Sequence, residues 1–236
     1  MHKKLNIKQL KNFFNNKRVV ITGHTGFKGI WLSIILKNFG AKVYGFSLKE
    51  PSRVNNLKLF NLEKKIKTYY GDIANKKSFY KFLNQAKPNI LFHLAAQPLV
   101  KESYINPYKT FETNVMGMLN VLEYTKISKS LKSTVLITSD KCYKNKELLS
   151  GYTENSEIGG DDPYSASKAA AENLFYAYNK SFFKKNNIRV ATVRAGNVIG
   201  GGDWCKDRII PDAIRSIIKK KKLIVRSPDA VRPWQH

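Results

Sequence analysis

The segment Arg18-Val19-Val20-Ile21-Thr22-Gly23-His24-Thr25-Gly26-Phe27-Lys28-Gly29 runs from a short, mostly β-branched stretch straight into three evenly spaced glycines. Val19, Val20 and Ile21 follow one another without polar alternation, which suits a strand buried on both faces. A helical pattern from Ile30 to Phe39 follows at once, Gly40 ends it, and Lys42 to Phe46 reads as a second strand. Strand, helix and strand in that order make a βαβ unit. Outward from it, strand-like runs recur at Lys67 to Tyr70, Ile90 to Leu94, Thr134 to Thr138 and Arg189 to Arg194. Helical patterns separate them at Lys76 to Ala86, Pro107 to Ser128 and Pro163 to Lys185. Six strands alternating with helices predict a doubly wound parallel α/β sheet of the Rossmann type, with helices on both faces.

This sheet domain is expected to span residues 17–197, after a polar lead-in (1–16) with one helical pattern at Ile7 to Phe14. Past Asn197 the character changes, with Gly200-Gly201-Gly202, a helical pattern from Pro211 to Lys221 and a short strand near Leu223 to Arg226. So few residues build no compact second domain, and 198–236 are expected to be the beginning of a truncated substrate domain.

Composition narrows the class further. With 236 residues, 42% of them hydrophobic and 12% aromatic, the chain has core enough for a packed domain, which excludes disorder. No apolar run approaches the roughly 18 residues of a membrane span, and Met1-His2-Lys3-Lys4-Leu5-Asn6 has no apolar core of a secretion signal. Cys142 and Cys205 lie far apart and form no CxxC pair, so a reduced, cytoplasmic protein without structural zinc or other metal is expected. Lys and Arg number 42 against 17 Asp and Glu, a net charge of +25. The lysines are scattered, with one dense run at Lys219 to Lys222, and no nucleic-acid-binding pattern accompanies them. A solvated basic surface, with some attraction for a phosphorylated small molecule, is preferred to a polynucleotide or membrane partner.

A strand running into Gly23-x-x-Gly26-x-x-Gly29 and a helix aims backbone N–H groups and the helix dipole at one place, where a pyrophosphate fits. Gly23 permits the tight turn, Gly26 the close approach and Gly29 the packing of helix on strand. The place that carries a ribose-binding acid in NAD-selective proteins falls near Ser47, with Lys49 and Arg53 beyond, so NAD and NADP both stay open. Gly71-Asp72-Ile73 would lie beside the adenine, its carboxylate accepting from the amino group; the other reading of Asp72 is a helix cap.

Tyr164 and Lys168 stand at i and i+4, on one helix face, where an ammonium near the phenol would draw its pKa down from about 10 into the range of a useful base. Tyr176 and Lys180 repeat the spacing, but Phe175-Tyr176-Ala177-Tyr178 reads as aromatic packing, whereas Tyr164 opens a helix among small residues. The fifth strand ends in Thr138-Ser139-Asp140-Lys141, at the sheet edge where such folds place their chemistry. Ser139 can bond both a substrate hydroxyl and the phenolate. Asp140 and Lys141 add a titratable pair of opposite sign, unless Asp140 is a turn cap.

These residues resemble the extended short-chain dehydrogenase/reductases. Within them, the glycine loop, Leu94-Ala95-Ala96-Gln97-Pro98-Leu99-Val100, Thr138-Ser139-Asp140-Lys141-Cys142-Tyr143 and Tyr164-Ser165-Ala166-Ser167-Lys168 are similar to the CDP-glucose 4,6-dehydratase group. Arg194-Ala195-Gly196-Asn197-Val198-Ile199-Gly200-Gly201-Gly202-Asp203-Trp204, Asp207-Arg208-Ile209-Ile210-Pro211-Asp212 and Arg232-Pro233-Trp234-Gln235-His236 extend the likeness to the end.

The resemblance implies conversion of CDP-glucose to CDP-4-dehydro-6-deoxyglucose and water, with NAD reduced and reoxidised in one turnover. It makes Tyr164 the base at the C4 hydroxyl, with Ser139 and Lys168 fixing the geometry, and Asp140 the acid for the departing C6 hydroxyl. Lys141 stands where dTDP-glucose dehydratases carry a Glu that takes the C5 proton, so the C5 base is open. Phe27, Lys28, Ile73, Ala95, Ala96 and Asn114 are assigned beside Gly23, Gly26, Gly29 and Asp72 to the cofactor. Gln97, Asn197, Arg208, Arg232 and His236 are assigned to the nucleotide sugar. A homodimer through the helices at Pro107 to Ser128 and Pro163 to Lys185 is also implied. The alternatives are a sugar-nucleotide 4-epimerase or other dehydratase of this fold, against which Lys141 and Gly-Gly-Asp-Trp count, and an inactive fragment.

Overall fold

Val19, Val20 and Ile21 are completely buried at the centre of a six-stranded parallel sheet. In the computed structural model, which describes residues 6–49, 54–148, 150–225 and 228–236, β1 (Arg18–Thr22) pairs with β2 (Lys42–Ser47) on one side and β4 (Ile90–His93) on the other. With β3 (Lys67–Tyr70), β5 (Ser133–Ile137) and β6 (Arg189–Val193), the strand order is β3-β2-β1-β4-β5-β6. The order reverses between β1 and β4, and open sheets of this kind bind ligands at the carboxyl end of such a switch point.

Because side chains alternate across a strand, neighbouring residues of β1 serve two cores. Val20 joins Phe46, Leu91 and Leu136 on one face, under α4 (Lys76–Ala86), α7 (Gly117–Ile127) and α8 (Pro163–Tyr178). Val19 and Ile21 join Val43 and Ile90 on the other, under α2 (Phe27–Asn38) and α3 (Asn56–Leu59). Both faces are thus dry, which is why the strands read as unbroken apolar runs.

Local chemistry sets the helix starts. Asn75 and Asp162 accept from the backbone N–H groups of Ser78 and Ser165, capping α4 and α8, and Pro163 occupies the first turn of α8. α2 begins at Phe27, earlier than the pattern from Ile30, because Gly26 already serves as its cap. The single helix expected from Pro107 to Ser128 is α6 (Pro107–Phe111), a π-helical turn over Glu112–Met116, and α7. The pattern from Pro163 to Lys185 likewise ends α8 in a π-helical turn, Asn179–Phe183. A short helix α5 (Val100–Ile105), not anticipated from the sequence, precedes α6.

The lead-in carries α1 (Ile7–Phe14), capped by a reciprocal Asn6–Gln9 box; residues 1–5, read as part of a segment lacking a secretion signal, lie outside the described residues. At the other end, β7 (Asn197–Val198) pairs in parallel with β8 (Trp234–Gln235), and α9 (Ile209–Ile218) lies between them. The strand expected near Leu223 to Arg226 does not form: 223–225 are irregular, and Arg226 lies outside the described residues.

Candidate active site

The glycine loop folds as its spacing demands. Gly23 has φ +71°, and a β-carbon on it would lie 2.8 Å from the Ala95 backbone nitrogen, so both the left-handed turn and the contact with the end of β4 exclude a side chain. A β-carbon on Gly29 would collide with the Gly23 carbonyl; helix and loop touch there. Gly26 differs: its nearest neighbour would be the Gly23 oxygen at 3.4 Å. Its open side, at the start of a twelve-residue helix without a side-chain cap, is a cradle for a pyrophosphate. The residues present therefore fit a dinucleotide.

Beneath the loop lies a residue that motif reading passed over. The His24 ring is 3.1 Å from Ser47 Oγ through Nδ1 and 3.1 Å from Thr68 Oγ1 through Nε2, tying the loop to the ends of β2 and β3. Burial lowers its pKa to about 4, so it is neutral. Gly45, an isolated glycine inside a strand, was the available signal, since such glycines mark close approach. Ser47 is buried, and its hydroxyl meets His24, Thr25 Oγ1 (3.1 Å) and the Leu48 carbonyl (2.9 Å). Lys49 is exposed, and Arg53 lies outside the described residues.

Asp72 does cap a turn, accepting from Ala74 N at 2.9 Å, and also pairs with Lys109 Nζ at 2.7 Å. Burial pushes its carboxyl up, but the Lys109 and Ala74 hydrogen bonds outweigh that and hold it below the usual range. The Ile73 side chain packs in the core, so the part of Ile73 near a cofactor is its backbone. Ala95 N donates to Thr22 Oγ1 at 3.2 Å, and Ala96 is half-buried beside it.

Tyr164 and Lys168 project from the first turns of α8, 8% and 5% exposed, with Lys168 Nζ 5.9 Å from the centre of the phenol ring. Tyr176 and Lys180 have a similar spacing, 5.6 Å, yet Tyr176 is 63% exposed. Burial separates the two copies. It also corrects the packing role expected for Tyr176, which faces solvent because its neighbours Phe175 and Tyr178 take the core-facing positions.

The electrostatics also depart from expectation. Burial raises the Tyr164 phenol, outweighing a hydrogen bond with Ser139 and the charge of Arg208, both of which lower it. Lys168 yields instead: burial first, then the nearby Lys28 ammonium, bring it down to about 8. The expected fall at the tyrosine thus appears at the lysine, because desolvation penalises whichever group must carry charge.

β5 delivers the rest. Ser139 Oγ donates to Asp140 Oδ1 at 3.0 Å and accepts from Lys141 N at 3.2 Å, so Ser139, not Asp140, caps the short 3-10 turn Asp140–Cys142. Lys141 Nζ lies 3.3 Å from Asp140 Oδ2.

Two assigned residues are hydrogen-bonded to each other. Asn114, in the π-helical turn, accepts from Gln97 N (2.8 Å) and donates to Gln97 O (3.1 Å) and Ser167 Oγ (2.9 Å). The Gln97 amide donates to Leu99 O and Thr110 Oγ1 and accepts from Leu99 N. Their polar atoms tie the loop after β4 to α8 through Ser167.

Arg208, assigned to the nucleotide sugar, lies close enough to Tyr164 and Lys28 to act on both electrostatically. It pairs with Asp203 at 3.0 Å. The half-buried Lys28, assigned to the cofactor, thus faces the reacting end as well. Burial, then the Arg208 charge, lower it. Asn197 opens β7 in register with Trp234 of β8, its N donating to Pro233 O at 3.1 Å, and His236 follows β8. His236 and Arg232 are exposed, and Arg232 donates to the Val231 carbonyl. The segment at 200–204 docks on the sheet domain: Trp31 Nε1 donates to Gly201 O (2.9 Å), and Asn56 bridges Gly202 O (2.9 Å) and Trp204 Nε1 (3.0 Å). Asn56 carried no sequence signal.

The family model for GDP-mannose 4,6 dehydratase matches residues 20–236. The chain belongs to that family. Among curated members, the chain is 48% identical over 231 residues to the CDP-glucose 4,6-dehydratase of Salmonella typhimurium, an alignment covering 96% of this chain and 64% of that one. It is 32% identical to a dTDP-D-glucose 4,6-dehydratase of Dictyostelium discoideum, covering 89% and 50% respectively. The chain thus spans half to two-thirds of the length of these two relatives. In fold it is similar to an epimerase of Methanothermobacter thermautotrophicus (TM-score 0.84, 23% identity, 99% of this chain and 68% of that one). The dTDP-glucose 4,6-dehydratase of Bacillus anthracis, solved in complex with NAD, gives 0.76 at 24% identity, over 92% and 67%. Among the described residues, no helix is long and apolar enough to cross a membrane, and no His, Cys, Asp or Glu cluster could hold a metal.

Proposed function

We propose that this chain carries the dinucleotide site and reaction centre of a CDP-glucose 4,6-dehydratase, with residues 198–236 contributing to its sugar-nucleotide side. The observation that carries the proposal is the convergence of Tyr164, Lys168 and Ser139 with an Asp140–Lys141 ion pair at one strand end beside the glycine loop. NAD, held by Gly23, Gly26 and the first turn of α2, would supply the acceptor for the C4 hydride and the later donor to C6.

The protein's own groups do the proton chemistry. Tyr164 takes the proton of the C4 hydroxyl in its base form, which the Ser139 hydrogen bond and the Arg208 charge favour against burial, while Ser139 bonds the same oxygen. The resulting ketone acidifies C5–H. The elimination calls for Lys141 as the amine and Asp140 as the carboxylic acid. The amine then takes the C5 proton while the acid protonates the departing C6 hydroxyl, releasing water and restoring the ion pair. Elimination thus needs no net proton from solvent, and a lysine can stand where a carboxylate base would otherwise be required. A 4-epimerase shares Tyr164 and Lys168 but has no use for an acid and a base at C5 and C6.

Arg208 and Lys28 supply positive charge for the diphosphate. Tyr108 on α6 and Tyr176 on α8, exposed at 78% and 63%, give the two helical segments exposed aromatic side chains that a homodimer would cover. Free Cys142 and Cys205 suit a reducing cytoplasm.

The test is incubation of the protein, in its longest native form, with CDP-glucose and NAD, followed by the alkali-induced absorbance of the 4-keto product. Product from the native protein and none from Tyr164→Phe supports the reading. Inert native protein that binds NAD refutes it.

A further inference from the structure

We propose that the buried Glu172–Arg194 ion pair is a clamp that positions Asp140 and Lys141 against Tyr164 and Lys168, a role that rests on the dehydratase reading above. Glu172 follows Tyr164 and Lys168 on the same face of α8, at the next i+4 step. It is 3% exposed. Its carboxylate accepts from Thr138 Oγ1, from Thr192 Oγ1 at 3.2 Å and from Arg194 Nη2 at 2.7 Å. Arg194 reaches on to Tyr143, donating to its hydroxyl at 3.0 Å and lying 5.0 Å from the ring centre, and to the Glu154 carbonyl at 3.1 Å.

Thr138 immediately precedes Ser139, and Tyr143 immediately follows Cys142. The pair therefore grips both ends of the segment that carries Ser139, Asp140 and Lys141, from the helix that carries Tyr164 and Lys168. A buried ion pair adds little stability over apolar residues of the same size, because desolvation offsets its attraction. What it does supply is direction: a carboxylate and a planar guanidinium fix several donors and acceptors at once. Cys142, fully buried inside the gripped segment, reports on the clamp, since its thiol meets a reagent only when the segment opens.

The experiment uses the native protein carrying Cys205→Ser, so that the thiol at position 142 is the one labelled. Thr138→Val and Tyr143→Phe each cut one end of the clamp without leaving a buried charge alone; Arg194→Met removes the guanidinium, and Arg194→Lys keeps the charge. We expect Thr138→Val and Tyr143→Phe to lower kcat on CDP-glucose at least tenfold, with KM within twofold and bound NAD unchanged. Arg194→Met should lower kcat further and label Cys142 at least tenfold faster, and Arg194→Lys should recover part of both. Unchanged kcat in both single-end variants overturns the clamp, as does KM rising, or NAD content falling, in step with the loss of kcat. If the native protein turns over no CDP-glucose, the dehydratase reading fails by itself. Labelling then decides the clamp: faster in Arg194→Met than in native protein supports it, and equal rates overturn it.

Discussion

The His24 imidazole occupies the space over Gly45 that a β-carbon there would need. The ring is fixed by Ser47 and Thr68, so it cannot step aside without losing both hydrogen bonds. Gly45→Ala should therefore destabilise the protein by about 1–3 kcal/mol, the usual result of overpacking. His24→Ala, by vacating the space, should make the double variant more stable than the two single losses add up to. Urea unfolding of the four proteins measures the coupling, and strict additivity would refute the contact.

Two buried imidazoles set the response to acid. Burial lowers His24 from 6.5 to about 4, and burial plus the Lys168 charge lower His93 from 6.5 to about 3. Below pH 6.5 the unfolded chain binds these two protons while the folded chain does not, so stability falls as pH falls. The loss runs from pH 6.5 to about 4 for His24 and to about 3 for His93, and levels off below those values. At 1.36 kcal/mol per pKa unit, His24 alone accounts for about 3 kcal/mol. Replacing His24 with Gln should flatten the pH dependence of the urea midpoint across this window; an unchanged slope would be contrary to a neutral, buried ring.

Lys168 reverses the usual balance between stability and function. Its pKa is about 8 against an ordinary 10.5, so the folded state gives up a proton that the unfolded state keeps. That penalty is fully present below pH 8 and is relieved as pH rises from 8 to 10.5. Lys168→Met should then stabilise the protein at pH 7 by about 1–3 kcal/mol, with the advantage shrinking toward pH 10, while turnover falls at least about a hundredfold. Chemical denaturation at pH 7 and 10 decides it; a destabilised Lys168→Met would show that the ammonium is better compensated than its burial implies.

The sequence carried the sheet and the shared helix face of Tyr164 and Lys168 because both are written in local patterns. Unbroken apolar runs mark strands buried on two faces, and the spacing of Tyr164 and Lys168 fixes a shared helix face whatever the rest of the chain does. What escaped depends on distant partners. Nothing in the sequence signals that the amides of Asn114 and Gln97 meet each other, Ser167 and Thr110. The π-helical turn that holds Asn114 has no pattern of its own, and the direction of the Tyr164 shift depends on burial that spacing does not encode.

Asn56 is the sharpest case, a residue without a motif that joins two parts of the site. Its amide donates to Gly202 O at 2.9 Å and accepts from Trp204 Nε1 at 3.0 Å, and it is 2% exposed. Trp204 is flanked by Asp203, which holds Arg208 at 3.0 Å near Tyr164. Asn56→Leu would leave the half-buried Gly202 carbonyl and the Trp204 indole N–H without their partner, a loss of about 1 kcal/mol. The released segment would carry Arg208 away from the diphosphate position, whereas the glycine loop would keep its shape. The expected signature is a KM for the nucleotide sugar raised about tenfold or more, equivalent to about 1.4 kcal/mol, with NAD affinity unchanged. Equal losses in both affinities would instead place Asn56 in the general stability of the sheet domain.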